Sequence, residues 1–290
     1  MFIGPDARLR FIWRAVIFVA LTLVVENYLL DPLFAIAARA FHLARGLSAP
    51  GVAFGEFENL LVALICTAPF AFYERRRIGS YGLPPRGAFG GRTGEGFAVG
   101  TIFAGAVALG MIALGGMQVH GLNLAGSAVL LSALAWLGAN ILVGVAEELY
   151  FRGYFLRVLW RSIGFWPASA AIALVFAADH YFFKPGENVW DVITLVAFSL
   201  LCCYSVLKTG TLWFAVGLHI AFDFMQLFVI GTPNGEQVPV GRLLNVTFNG
   251  PAWLTGGVLG TEASWLMYPG FVLAFLYVGW RYRGQELTEP

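Results

Sequence analysis

Charged side chains are scarce in this chain. Asp, Glu, Lys and Arg make up 12% of its 290 residues, about half the share found in a soluble domain, and that deficit excludes an ordinary soluble globular protein. An excess of one sign is missing as well. With 18 Lys and Arg against 17 Asp and Glu, the net charge is +1, so the basic surplus with which proteins engage a polyanion is absent and no nucleic-acid partner is expected. Cysteine is confined to Cys66, Cys202 and Cys203, an odd number inside apolar segments without Cys-x-x-Cys spacing. These give no disulfide framework and no thiolate metal site, and they read as small buried hydrophobes. Internal repeats, low-complexity tracts and a separate soluble domain are also lacking.

What the chain has instead is apolar sequence, 59% of it, with 16% aromatic residues. Taking about 20 predominantly apolar residues as the length of a spanning helix, eight runs qualify: 11–30, 53–73, 95–116, 127–149, 164–183, 189–207, 211–230 and 263–280. The second begins with Glu56 and Glu58 and the sixth with Asp191, which makes them the least apolar at their starts. The expected fold is all-α, a polytopic transmembrane helix bundle of about eight spans forming a single integral membrane domain over residues 1–290. The first run follows Arg8 and Arg10 and precedes Ala-rich sequence in the manner of a secretory signal. It is longer than the apolar core of such a signal, about 7–15 residues, and is expected to span.

Loops on the cytoplasmic side of a membrane are enriched in Lys and Arg. With the N-terminus inside, Arg8, Arg10, Arg14, Arg75, Arg76, Arg77, Arg86, Arg92, Arg152, Arg157, Arg161, Lys208, Arg281 and Arg283 fall inside, and only Arg39, Arg45, Lys184 and Arg242 outside. Fourteen against four places both termini in the cytoplasm. The expected location is the cytoplasmic membrane of a bacterium. Small residues in the third span, Gly100, Ala104, Gly105 and Ala108, suit close helix packing. The stretch from Gly231 to Thr261 reads as a non-cytoplasmic loop capping the bundle.

Ionisable groups at bilayer depth cost about 2.5–3.5 kcal/mol each on insertion scales, so those that persist face a bundle interior or a wet cavity and mark function. The sequence Ala146-Glu147-Glu148-Leu149-Tyr150-Phe151-Arg152 puts three of them beside an apolar run. Glu148 and Arg152 are four apart with the acid first, the favourable ion-pair order on a helix. Glu147 points about 100° away and is left for another task. If its helix continues to about Arg161 and the chain reverses at Ser162-Ile163-Gly164, Glu147 and His180 lie at matching depth, roughly 25 Å from the hairpin tip. His219 enters from the same side, with Asp223 on its face four residues later. The other histidines, His42 and His120, fall in loops.

A carboxylate beside an imidazole can take a proton from water and return it to a leaving amine. A second imidazole paired with a carboxylate can stabilise an oxyanion or hold a metal. Spacing leaves open both a metal-free site and a divalent metal such as zinc on Glu147, His180 and His219.

The ordered set Glu147-Glu148-x-x-x-Arg152, Phe176-x-x-x-His180 and His219-x-x-x-Asp223 resembles the CAAX protease and bacteriocin-processing family of intramembrane peptidases, typified by the Ras-converting endopeptidase of eukaryotes. The motif-bearing core covers about residues 130–230. The resemblance implies that Glu147 and His180 activate the attacking water, that His219 and Asp223 stabilise the oxyanion, and that Glu148 and Arg152 support them. It implies a membrane-associated peptide or protein substrate, which is prenylated in the eukaryotic branch. Asp223 departs from the eukaryotic Asn, and an ionised Asp accepts but cannot donate a hydrogen bond. Two other classes fit the same residues. One is a proton-coupled transporter using the acids and histidines as a relay, and the other a non-catalytic membrane scaffold or immunity protein of the same fold.

Overall fold

The computed structural model describes residues 3, 9–43, 47–183, 186–235 and 237–287; Arg8, Arg45 and Lys184, used above for orientation, lie outside them. Helix α1 (Phe11–Val25) passes through a wide turn at Glu26–Leu30 into α2 (Asp31–Ala40). Helix α3 (Ala49–Glu74) opens on Ser48, whose hydroxyl accepts the Gly51 amide at 3.3 Å, with Pro50 in the first turn, where a missing N–H costs nothing. It closes on Arg75 in the left-handed conformation, φ 55°, the usual device for ending a helix. Next come α4 (Gly91–Ala113), β1 (Met117–Leu122), α5 (Ser127–Leu149), α6 (Leu156–Ile163) and α7 (Phe165–Phe183). The chain continues through α8 (Val189–Thr209), α9 (Trp213–Asp223), β2 (Leu244–Phe248), the single turn α10 (Ala252–Thr255) and α11 (Met267–Arg281).

Seven helical stretches among the described residues are long and apolar enough to cross a membrane, and the protein is an integral membrane protein. They coincide with seven of the eight expected spans. The remaining one, 164–183, is α7, which is helical but falls outside that set because Trp166-Pro167 and Asp179-His180 dilute its ends. The exterior is apolar: Phe72 is 88% exposed and Ile102 70%, side chains that only lipid would solvate well.

At the centre stands α9, every residue of which from Trp213 to Phe222 is buried. Its closest neighbour is α4. An added Cβ on Gly96 would sit 2.0 Å from the Phe214 carbonyl oxygen, one on Gly217 2.0 Å from the Thr93 carbonyl oxygen, and one on Gly100 2.5 Å from the Leu218 oxygen. The two backbones therefore touch, as small residues allow in membrane helices. Gly100 plays the packing role expected of it, whereas Gly105 meets nothing nearer than the Met225 methyl at 3.9 Å. Gly217→Ala is accordingly expected to force the helices apart and cost about 1–3 kcal/mol, while Gly105→Ala gains helix propensity without a clash. Melting of the two detergent-solubilised variants measures this. Equal tolerance of both would contradict the interlock.

Two expectations need correction. The helix carrying Glu147 does not run on to Arg161. It breaks at Gly153, whose ψ of −109° is non-helical, where the Tyr81 carbonyl oxygen would lie 3.8 Å from an added Cβ, and α6 follows as a separate piece before Gly164 reverses the chain. The stretch 231–261 is not a plain loop, since β2 pairs antiparallel with β1, Val119 opposite Val246. That strand pair lies at the end of the bundle opposite the Arg-rich turn, and it gives the all-α chain its one sheet among the described residues.

Candidate active site

The last turn of α5 presents its two acids to different surroundings, as a 100° step demands. Glu148 is fully buried and receives Nη1 of Arg152 at 2.8 Å, with both side chains at zero exposure. Arg152 is thus an internal partner. It is no interfacial anchor, as the orientation count had taken it, and its guanidinium lies over the Phe176 ring at 4.6 Å. The same Glu148 oxygen accepts Nδ1 of His219 at 3.0 Å. Glu148 therefore does more than balance a charge. It fixes the orientation of the His219 ring and turns Nε2 the other way.

That Nε2 faces two further carboxylates, Asp223 Oδ2 at 3.5 Å and Glu147 Oε2 at 3.7 Å. Both distances are longer than a good N–H···O bond and within ion-pair range. Glu147 Oε2 is buried and makes no hydrogen bond within the protein. On α7, His180 places Nδ1 3.0 Å from the Phe176 carbonyl oxygen. A carbonyl only accepts, so in the neutral ring the proton sits on Nδ1 and the lone pair on Nε2. The Phe176 ring packs on His180 at 4.5 Å between centroids, and Phe198 packs on His219 at 4.8 Å. Aromatic walls hold both imidazoles.

All four expected residues, Glu147, His180, His219 and Asp223, line one cavity of about 190 Å³. Since a water occupies about 30 Å³ of liquid, this holds a water and a short piece of extended peptide. Glu148 and Arg152 lie behind it. Four polar lining residues were not anticipated as part of a site: Glu56 on α3, Thr194 on α8, Asn234 and Glu262. Glu56 carried a legible signal, an acid inside an apolar run, which had counted only against that span. Asn234 and Glu262 had none, because their approach depends on the fold of the 231–263 stretch. There Asn234 Nδ2 and Gln226 Nε2 each donate to Glu262 Oε1 at 3.4 Å, and Thr261 hydrogen-bonds Gln226.

Among the described residues no three or more His, Cys, Asp or Glu side chains are disposed as a shell for a metal ion. Glu147, His180 and His219 share the cavity without forming one, so no chemical step below passes through a metal.

Residues 129–225 match the family model described as Type II CAAX prenyl endopeptidase Rce1-like, the family whose motifs the sequence resembles. The matched stretch contains every motif residue, from Glu147 to Asp223. The chain is also 30% identical over 132 residues to YyaK of Bacillus subtilis (strain 168), described as an uncharacterized protein, an alignment covering 42% of this chain and 44% of that relative. The match thus spans less than half the length of the curated relative.

Proposed function

We propose that this protein is an intramembrane endopeptidase, hydrolysing a peptide bond of a membrane-associated protein or peptide with a water activated at Glu147. The observation that carries the reading is the meeting of Glu147, His180, His219 and Asp223, from three helices, on one cavity. The family match over residues 129–225 supports the reaction class.

In this mechanism the Glu147 carboxylate removes a proton from water as the oxygen attacks the carbonyl carbon of the scissile bond. His180, with its lone pair on Nε2, aligns that water. Negative charge builds on the former carbonyl oxygen, and His219, held through Nδ1 by Glu148, directs Nε2–H at it. When the tetrahedral intermediate collapses, the C–N bond breaks and Glu147 returns its proton to the departing amine. Ionised, Asp223 cannot donate to the oxyanion; its oxygen at 3.5 Å keeps the His219 proton on Nε2.

The test is made in cells. Membranes from strains carrying His180→Ala or His219→Ala are expected to accumulate an uncleaved precursor that wild-type membranes lack, with the variants present at wild-type level. Identical membrane proteomes in all three strains would reject the assignment.

A further inference from the structure

The cavity has a direction. Its lining runs from Glu147 and His219 to Leu47, Asn234 and Glu262, the last three toward the end of the bundle that carries the two-stranded sheet: the Leu47 carbonyl accepts the Val240 amide at 2.8 Å, and the Leu243 amide reaches the Phe228 carbonyl at 2.6 Å. None of its lining residues comes from the opposite end.

That opposite end is closed by packed backbone. Beyond the contacts of Gly96 with Phe214 and of Gly217 with Thr93, the Leu212 amide donates to the Gly82 carbonyl at 2.7 Å and Trp213 Nε1 to the Pro84 carbonyl at 3.0 Å. Arg92 donates to the Thr209 carbonyl at 2.8 Å and Arg157 to that of Gly210 at 3.3 Å. Tyr81 donates to Glu74 at 2.8 Å, and burial together with that acid pushes its phenol above the usual range. The closed end bears Arg75, Arg76, Arg77, Arg86, Arg92, Arg157, Arg161, Arg281 and Arg283, whereas the open end has Arg39 and Arg242 among the described residues. Removing the internal Arg152 leaves this asymmetry standing. Positive charge marks the cytoplasmic face, so closure lies on the cytoplasmic side.

We infer that the catalytic cavity is served from the non-cytoplasmic side, and that its substrate is a membrane-anchored peptide whose scissile bond lies in the outer half of the bilayer or just beyond it. The inference rests on the peptidase reading for the word substrate and on geometry and charge alone for the direction. It excludes a tail delivered from the cytosol. It also sets the charge of the segment that enters: Glu56, Glu147, Asp223 and Glu262 line the cavity and no Lys or Arg does, so residues flanking the bond are neutral or basic.

Single cysteines test the direction without relying on activity. The native cysteines are fully buried and free, which makes the parent protein the unlabelled control. Leu47→Cys and Asn234→Cys report on the mouth, Gln237→Cys on the end that carries the sheet and Arg86→Cys on the opposite face. With a membrane-impermeant maleimide, the first three are expected to label at least tenfold faster in spheroplasts than in inverted vesicles, and Arg86→Cys the reverse. Labelling of Leu47→Cys and Asn234→Cys only from inverted vesicles, or equally from both sides, would overturn the inference. Modification of Leu47→Cys is further expected to reduce precursor processing at least tenfold. If sidedness holds while His180→Ala and His219→Ala still process, the peptidase reading fails and the direction of the cavity stands.

Discussion

Purified Glu147→Gln is expected to hydrolyse its substrate about 10²–10⁴ times more slowly than the parent, the loss that follows removal of a general acid–base group. The substitution keeps the size of the side chain and removes only its basicity. It should cost little stability, because Glu147 Oε2 has no hydrogen-bond partner in the protein and a buried carboxylate is dear to desolvate. A rate loss with an unchanged melting temperature separates chemistry from folding. Asp223→Asn sharpens the comparison. Its oxygen lies 3.5 Å from His219 Nε2, and an amide can still accept there while gaining N–H groups able to face an oxyanion. Asp223→Asn is therefore expected to retain activity within about tenfold, one factor of 1.4 kcal/mol. Full activity in Glu147→Gln, or loss in Asp223→Asn as deep as that in Glu147→Gln, would remove the roles assigned to the two carboxylates.

The site was legible in the sequence to the extent that its chemistry obeys helical spacing. The separation of Glu147 from Glu148, the Glu148–Arg152 pair and the i, i+4 relation of His219 to Asp223 are all properties of single helices, and each follows from the residues alone. What joins one helix to another was less legible. The bond from Glu148 to His219 links α5 to α9 at 3.0 Å, and nothing in either segment announces it. The direct helical path from Glu147 to Arg161 failed at Gly153, whose backbone leaves the helical region, and a glycine inside a helical pattern does not by itself announce a kink. Glu56 was visible as a polar outlier. Its place on the cavity depends on α3 packing along α5, and periodicity carries no such information. Gly96 and Gly217 looked like any other glycines until a backbone appeared two ångströms from where their side chains would start.

The buried pair that supports this link gives Arg152→Leu a large expected cost. Arg152 and Glu148 are both at zero exposure and 2.8 Å apart, and stripping a buried acid of its partner typically costs about 3–5 kcal/mol, because an uncompensated charge is left in a low-dielectric interior. Glu148 cannot recover by turning to water, and another of its partners, His219, lies on the reaction path. Arg152→Leu is therefore expected both to lower the melting temperature of the detergent-solubilised protein and to slow hydrolysis in whatever fraction folds. The double variant Glu148→Gln/Arg152→Leu distinguishes the causes. It removes the stranded charge and keeps an acceptor for Nδ1 of His219, so most of the lost stability should return, since replacing a buried pair by neutral groups is often close to neutral. Activity should return only in part, because a neutral amide holds an imidazolium less firmly than a carboxylate does. A double variant no more stable than Arg152→Leu alone would show that the guanidinium supports the fold through its packing on Phe176 and not by compensating Glu148.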